Sequence, residues 1–103
     1  KEPIIFLKPP SSIINSNDDI IIPYNCFNFH HEIELGVIIN KTNNGKIIKK
    51  KDAMDYIFGF CLCLDMTARD IQSKLKQKGL PWSISKGFDT AAPISRCIHK
   101  SKI

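Results

Sequence analysis

Two stretches of the chain alternate between apolar and other residues with a period of two, and they set the expected architecture. Over residues 31–39, Ile33, Leu35, Val37 and Ile39 fall on one side of an extended strand, and Glu32, Glu34, Gly36 and Ile38 on the other. Over residues 58–65, Phe58, Phe60, Leu62 and Leu64 share one side, and Gly59, Cys61, Cys63 and Asp65 the other. Both apolar sides are expected to be core faces. Shorter strands are predicted at residues 4–8 and 20–22, the first broken by Pro9-Pro10 and the second by Pro23. Residues 15–19 read as a turn, 40–50 as a polar loop of hairpin type, and 52–57 as a short helix. A longer helix opens with Thr67 as N-cap and Asp70 three residues on, a capping-box spacing. It runs to about Lys78 and stops at Gly79, with Pro81 beyond. Strands dominate, so the fold class is α+β, mainly β.

Composition narrows the function. With 103 residues the chain is one small domain or a piece of a larger one, and 43% hydrophobic content allows a core. It begins with Lys1 and opens directly on a predicted strand, so its true start is expected upstream. The net charge is +5, but lysines outnumber arginines thirteen to two, and isoleucine and asparagine are also abundant. Codons rich in A and T produce that bias without any nucleic-acid partner. The basic run from Lys46 to Lys51 adjoins Asn43-Asn44-Gly45 and reads as a solvated loop, not a nucleic-acid surface. Cys26, Cys61, Cys63 and Cys97 contain no C-x-x-C pair of zinc type and read as reduced, buried thiols of an intracellular protein. Cys61 and Cys63 should project to the same side of their strand, and a disulfide between them would need an awkward backbone. No apolar run approaches the ~18 residues of a membrane span, so no membrane partner is expected.

The chemistry centres on carboxylates. Glu32 and Glu34 lie two apart on a strand, which places them on one face about 7 Å apart at their Cα atoms. Two like charges on an otherwise apolar strand invite a hard divalent cation, which takes oxygen ligands at about 2.1 Å in the case of Mg²⁺. An exposed polar strand face is the plain alternative. Asp65 ends the second strand at a strand-to-helix junction. Arg69 and Gln72 share a helix face, but by spacing alone they read as a surface ion pair and a solvated position. Lys86 by itself reads as solvent-facing. His30 and His31 lack H-E-x-x-H spacing and read as hydrogen-bonded structural histidines.

Taken in order, a longer set of segments is specific. His30-His31-Glu32-Ile33-Glu34-Leu35-Gly36-Val37 is followed by Ala53-Met54-Asp55-Tyr56. Then come Cys63-Leu64-Asp65-Met66-Thr67-Ala68-Arg69-Asp70-Ile71-Gln72, Lys78-Gly79-Leu80-Pro81-Trp82 and Lys86. Together they resemble the fumarylacetoacetate hydrolase family, and within it the acylpyruvase group. The resemblance runs from Pro3-Ile4-Ile5-Phe6-Leu7-Lys8-Pro9 to Pro93.

The resemblance implies a fold and an activity. The fold is part of the family's mixed β-sheet roll. The activity is metal-dependent hydrolysis of a C–C bond in acylpyruvate-type 1,3-diketo acids. Oxaloacetate decarboxylation, an isomerase activity, or a catalytically silent fragment or binding module are the alternatives. Glu32, Glu34 and Asp65 match the metal-binding carboxylates, with Mg²⁺ or Mn²⁺ as cofactor. Lys86, Arg69 and Gln72 match the catalytic groups around a small keto-acid substrate. A homodimer is implied for the complete protein, in the cytoplasm or mitochondrion. The family's histidine–glutamate pair that activates water is expected upstream of residue 1, and a G-D-x-I-x-x-G-T-P-x-G segment downstream of residue 103. Residues 1–103 are therefore expected to be the metal-binding half of a catalytic domain. Ser95 stands where many members have glycine, and residues 40–51 do not match closely.

Overall fold

The computed structural model describes residues 1–103. The two alternating segments pair with each other. β3 (Ile33–Ile39) and β4 (Ile57–Leu64) run antiparallel, with Glu34 opposite Cys63 and Gly36 opposite Cys61, until the register shifts between Ile38 and Ile39. The earlier strands are β1 (Ile13–Asn15) and β2 (Phe29–His30), and the later ones β5 (Thr67–Ala68), β6 (Ala92–Ile94) and β7 (Ile98–His99). The larger sheet has the order β1-β6-β4-β3, with β7 also pairing β4, and only the β1–β6 pair is parallel. β2 and β5 form a separate antiparallel pair. Helix α1 (Arg69–Lys78) ends at Gly79, whose φ of 66° is the left-handed conformation that glycine adopts without steric cost. The short helix α2 (Ser83–Lys86) follows. No helix is long and apolar enough to cross a membrane.

Several local expectations change. Residues 4–8 and 20–22 join no ladder. The first segment is fixed by side chains, with the Phe6 ring tilted against Trp82 at a centroid distance of 5.6 Å. In the second, Ile21 N–H donates to Thr90 Oγ1 at 2.9 Å, a side-chain partner in place of a neighbouring strand. The short helix expected at 52–57 is a 3-10 segment, Lys50–Tyr56. Thr67 does not cap α1 but lies in β5, and Asp70 accepts from Phe27 N–H at 3.0 Å and Cys26 Sγ at 3.4 Å. Ser95 replaces a ladder acceptor, since its Oγ takes the Leu62 N–H at 2.9 Å.

The apolar strand faces are not core. Ile33, Leu35 and Leu62 are 65%, 67% and 57% exposed, and Val37, Ile39 and Phe58 are also exposed. The helices pack on each other and on the small β2–β5 pair, which leaves this side of β3–β4 uncovered. The Cα radius of gyration of 15.7 Å agrees, because a compact domain of this length has about 13 Å. Only 15 of 103 residues are buried, and seven of those are polar or charged. The buried heart of the chain is thus a polar cluster at the junction of β4, β5, α1 and α2.

Candidate functional site

The cluster begins at the end of β4. Strand pairing continues one step beyond β3, with Glu32 N–H donating to Asp65 O at 3.2 Å and Asp65 N–H to Glu32 O at 2.8 Å. That reciprocal pair holds the two carboxylate-bearing residues face to face, and the period of two adds Glu34 to the same side. Ligand oxygens of Glu32, Glu34 and Asp65 all lie within 4.8 Å of one another. A shared cation with ~2.1 Å bonds accepts oxygens up to about 4.2 Å apart, so a small side-chain rotation closes the set. Oδ1 of Asp65 is buried and accepts no well-directed hydrogen bond. An oxygen in that state, beside two further carboxylates, fits a hard cation.

Three cations balance the three carboxylates. Lys86 is buried on α2, with Nζ 2.6 Å from Asp65 Oδ2, 2.8 Å from Thr67 Oγ1 and 3.4 Å from Glu32 Oε2. Arg69, at the start of α1, donates from Nη2 to Glu32 Oε2 at 2.6 Å and from Nη1 to Gln72 Oε1 at 3.0 Å. The third is Lys8, whose Nζ is 2.7 Å from Asp65 Oδ1. It also donates to the carbonyls of Met66 at 3.0 Å, Lys86 at 2.6 Å and Ala91 at 2.9 Å. Burial lowers the Lys8 pKa, and the Asp65 carboxylate partly offsets this.

The carboxylates differ in their electrostatics. Burial alone would raise Glu32, but the Arg69 hydrogen bond and the Lys86 charge outweigh it and hold the carboxyl below its ordinary value. Glu34 is raised, first by burial and then by the negative charges of Asp65 and Glu32. No cation in the structure is paired with Glu34 at contact distance. An open cavity of about 500 Å³ lies against the cluster, lined by Ile4, Ile5, Phe6, Lys8, Glu34 and Asp65. That volume suits a small ligand, with an apolar wall facing a charged floor.

The sequence-derived site residues therefore come together. Glu32, Glu34, Asp65, Lys86 and Arg69 form one connected network, and Gln72 joins it through Arg69. Spacing alone mislaid two of them: Lys86 and Gln72 are 2% and 3% exposed, so neither is solvent-facing. Arg69 does make an ion pair, but inside the cluster. Lys8 and Thr67 carry no signal of their own at the level of residue spacing, although Lys8 follows the Ile4-Ile5-Phe6-Leu7 run directly. His30 and His31 are exposed, and His30 Nε2 meets Asn28 Oδ1 at 3.0 Å, in keeping with a structural role. All four cysteines are free, but Cys97 is exposed and Cys63 partly so, contrary to the buried reading. Burial and the Cys61 thiol push Cys63 up to about 11.

Comparison with known proteins bears on this geometry. The family described as fumarylacetoacetate (FAA) hydrolase C-terminal matches residues 1–103. Among curated relatives, oxaloacetate tautomerase FAHD1, mitochondrial, from Mus musculus is 46% identical over 102 residues, covering 99% of this chain and 45% of its own length. Oxaloacetate decarboxylase, mitochondrial, from Dictyostelium discoideum is 52% identical over 103 residues, covering 99% and 46%. The chain thus spans about half the length of these relatives. Among solved structures, fumarylpyruvate hydrolase from Pseudomonas aeruginosa in complex with Mn²⁺ and pyruvate superposes with a TM-score of 0.91 at 34% identity, covering 99% of this chain and 45% of that one. The mixed sheet with few helices is therefore the expected α+β fold.

Proposed function

The chain belongs to the fumarylacetoacetate (FAA) hydrolase C-terminal family, and on that premise we propose that it carries the cation-binding half of an enzyme acting on small 2-oxo acids. In this reading Glu32, Glu34 and Asp65 hold Mg²⁺ or Mn²⁺, and Lys86, Arg69 and Gln72 face the substrate. The observation that carries it is the convergence of the three carboxylates within 4.8 Å, with the buried Asp65 Oδ1 meeting Lys8 as an ion pair but accepting no well-directed hydrogen bond. A bound hard cation supplies Lewis-acid polarisation of the substrate's carboxylate and 2-oxo oxygens.

The chain's own residues supply the rest. Three carboxylates and three side-chain cations leave the cluster formally neutral, so that with a divalent ion bound it would carry an excess of positive charge and favour an anionic keto acid. Lys86 Nζ, a donor held beside Asp65 Oδ2, steadies negative charge as it develops on the 2-oxo oxygen. Arg69 holds Glu32 in place and, by bonding Gln72 Oε1, leaves the Gln72 amide nitrogen free to donate. Lys8 ties the Asp65 carboxylate to the Met66, Lys86 and Ala91 backbones and so keeps the donors in register. The Ile4–Phe6 wall of the cavity offers an apolar surface to one side of the substrate.

The names of the mouse and Dictyostelium relatives support tautomerisation or decarboxylation of oxaloacetate. The Pseudomonas neighbour supports C–C hydrolysis of an acylpyruvate, the reading that the resemblance implied first. We place the oxaloacetate chemistry first, since those relatives share more identity with the chain. A homodimer is part of the proposal for the complete protein. Its setting is mitochondrial or cytoplasmic, and those relatives' names support the mitochondrion. The test is to assay the complete protein with Mg²⁺ on oxaloacetate and on acetylpyruvate, with and without a chelator. Oxaloacetate turnover that a chelator and Glu34→Ala both abolish is expected. Turnover of acetylpyruvate alone would reverse the order of the two reactions. No turnover of either would favour a silent binding module.

A further inference from the structure

The small-residue face of β3–β4 holds a feature that the cation site does not use. A side-chain carbon placed on Gly36 would lie 2.5 Å from Cys63 Sγ and 2.6 Å from Cys61 Sγ. Both sulfurs therefore lean over one glycine, into the space that its missing side chain leaves. They are 3.6 Å apart, and both thiols are free. A disulfide needs about 2.05 Å, so the pair is not poised as a bond. Two sulfurs on one pyramidal trivalent centre, with ~2.3 Å bonds and an angle near 100° between them, stand about 3.5 Å apart, which is nearly the spacing seen. Cys63 is partly exposed and opens the pair to solvent.

We propose that Cys61 and Cys63 form a vicinal-dithiol site for a soft, thiophilic centre, trivalent arsenic being the chemistry it fits. Sulfur ligands select soft ions and carboxylates hard ones, so neighbouring positions on the same two strands would sort ions by softness. The reaction with a monosubstituted arsenical, R–As(OH)₂, balances without oxidant or reductant. Each thiol hydrogen leaves with one hydroxyl as water, two As–O bonds break and two As–S bonds form. Glu34 is the ladder partner of Cys63, so the adduct lies beside the carboxylate cluster. Two other thiols serve as internal controls. Cys97 Sγ sits over Gly59, where a side-chain carbon would be 2.8 Å away, and Cys26 is bonded to Asp70.

The test treats the complete protein with phenylarsine oxide and reads intact mass. One phenylarsenic group per chain is expected, with loss of two hydrogens, stable to excess monothiol and removed by a dithiol. Cys61→Ala and Cys63→Ala should each weaken retention about 10²-fold, the loss of a second tethered ligand. Cys26→Ala and Cys97→Ala should leave it unchanged. Retention that survives Cys61→Ala, or disappears in Cys97→Ala, overturns the assignment. Should an alanine variant fail to fold, peptide mapping of the untouched protein decides. Arsenic bridging Cys61 and Cys63 supports the site, and arsenic bridging either of them to Cys97 or Cys26 overturns it.

Discussion

Lys86 Nζ and Asp65 Oδ2 stand 2.6 Å apart with both side chains only 3% exposed, so the strand end and helix α2 meet through a buried charge pair. Removing one partner of such a pair strands the other. Lys86→Ala is expected to cost about 3–5 kcal/mol of stability, read from the denaturant midpoint. In the complete enzyme it should also lower kcat by about 10², the loss of an oxyanion-stabilising donor. A change in KM alone would mark Lys86 as a residue of uniform binding instead.

Lys8 tests the positioning half of the scheme. Its Nζ serves three carbonyls and Asp65 Oδ1, which belong to segments far apart in sequence. Lys8→Met preserves most of the stem and removes the charge. A loss of about 3 kcal/mol or more is expected, because several buried acceptors lose their donor together. Lys8→Arg should not restore it, since a planar guanidinium cannot serve acceptors arranged around a compact ammonium. Full stability in Lys8→Met would show that those carbonyls find other partners.

Glu34 and Glu32 titrate in opposite senses, which gives a signed pH dependence. Glu32 is held below its ordinary pKa, so its contribution to stability is present above the unfolded value and fades as pH falls through the lower folded value. Glu34 is raised, so its folded form prefers the proton, and the chain loses that stability as pH rises through the raised value. A divalent cation reverses the Glu34 term by pairing its charge. Calorimetric titration with Mg²⁺ should therefore show affinity falling as pH drops through Glu34's raised pKa, with proton release on binding. Glu34→Gln should remove that proton release. An unchanged proton count in the variant would exclude Glu34 from the site.

Gly36 is expected to resist substitution for a local reason. A methyl group there meets two sulfurs at 2.5 and 2.6 Å. Gly36→Ala should cost about 1–3 kcal/mol, the range for overpacking. Adding Cys61→Ala and Cys63→Ala should recover most of it, a coupling that thermal unfolding of the variants measures. Additive losses would place the strain elsewhere.

The sequence showed the two strands, their alternation and their carboxylates, because a period of two is a strong signal and Glu32, Glu34 and Asp65 all fall on the same side. It misled on burial. Ile33, Leu35 and Leu62 have the pattern of a core face, yet they are exposed, because alternation says which residues share a side and nothing about what covers it. Residues 4–8 and 20–22 look like strands by composition, but their partners are the side chains of Trp82 and Thr90. Thr67 and Asp70 have the spacing of a capping box, and tertiary bonds to Lys86 and Cys26 took both side chains. Lys8, Lys86 and Gln72 could not be placed by spacing, since lysine and glutamine usually face water and their burial here depends on contacts distant in sequence.

The uncovered apolar face has a direct consequence. Residues 1–103 expressed alone should bind a hydrophobic dye and self-associate, because an exposed apolar sheet face and open strand edges both promote association. Size-exclusion chromatography with static light scattering reads this. A monomer with no dye binding would mean that the face is covered in solution by a rearrangement of this chain.

The most direct test of the carboxylate cluster is Mn²⁺ binding to the complete protein, followed by electron paramagnetic resonance of the free ion. One Mn²⁺ per chain is expected, with Glu32→Gln, Glu34→Gln and Asp65→Asn each weakening it by about tenfold or more, the loss of one charged ligand. Lys8 and Arg69 variants should weaken it less. Unaltered Mn²⁺ binding when Glu32, Glu34 and Asp65 are all substituted would contradict the assignment outright.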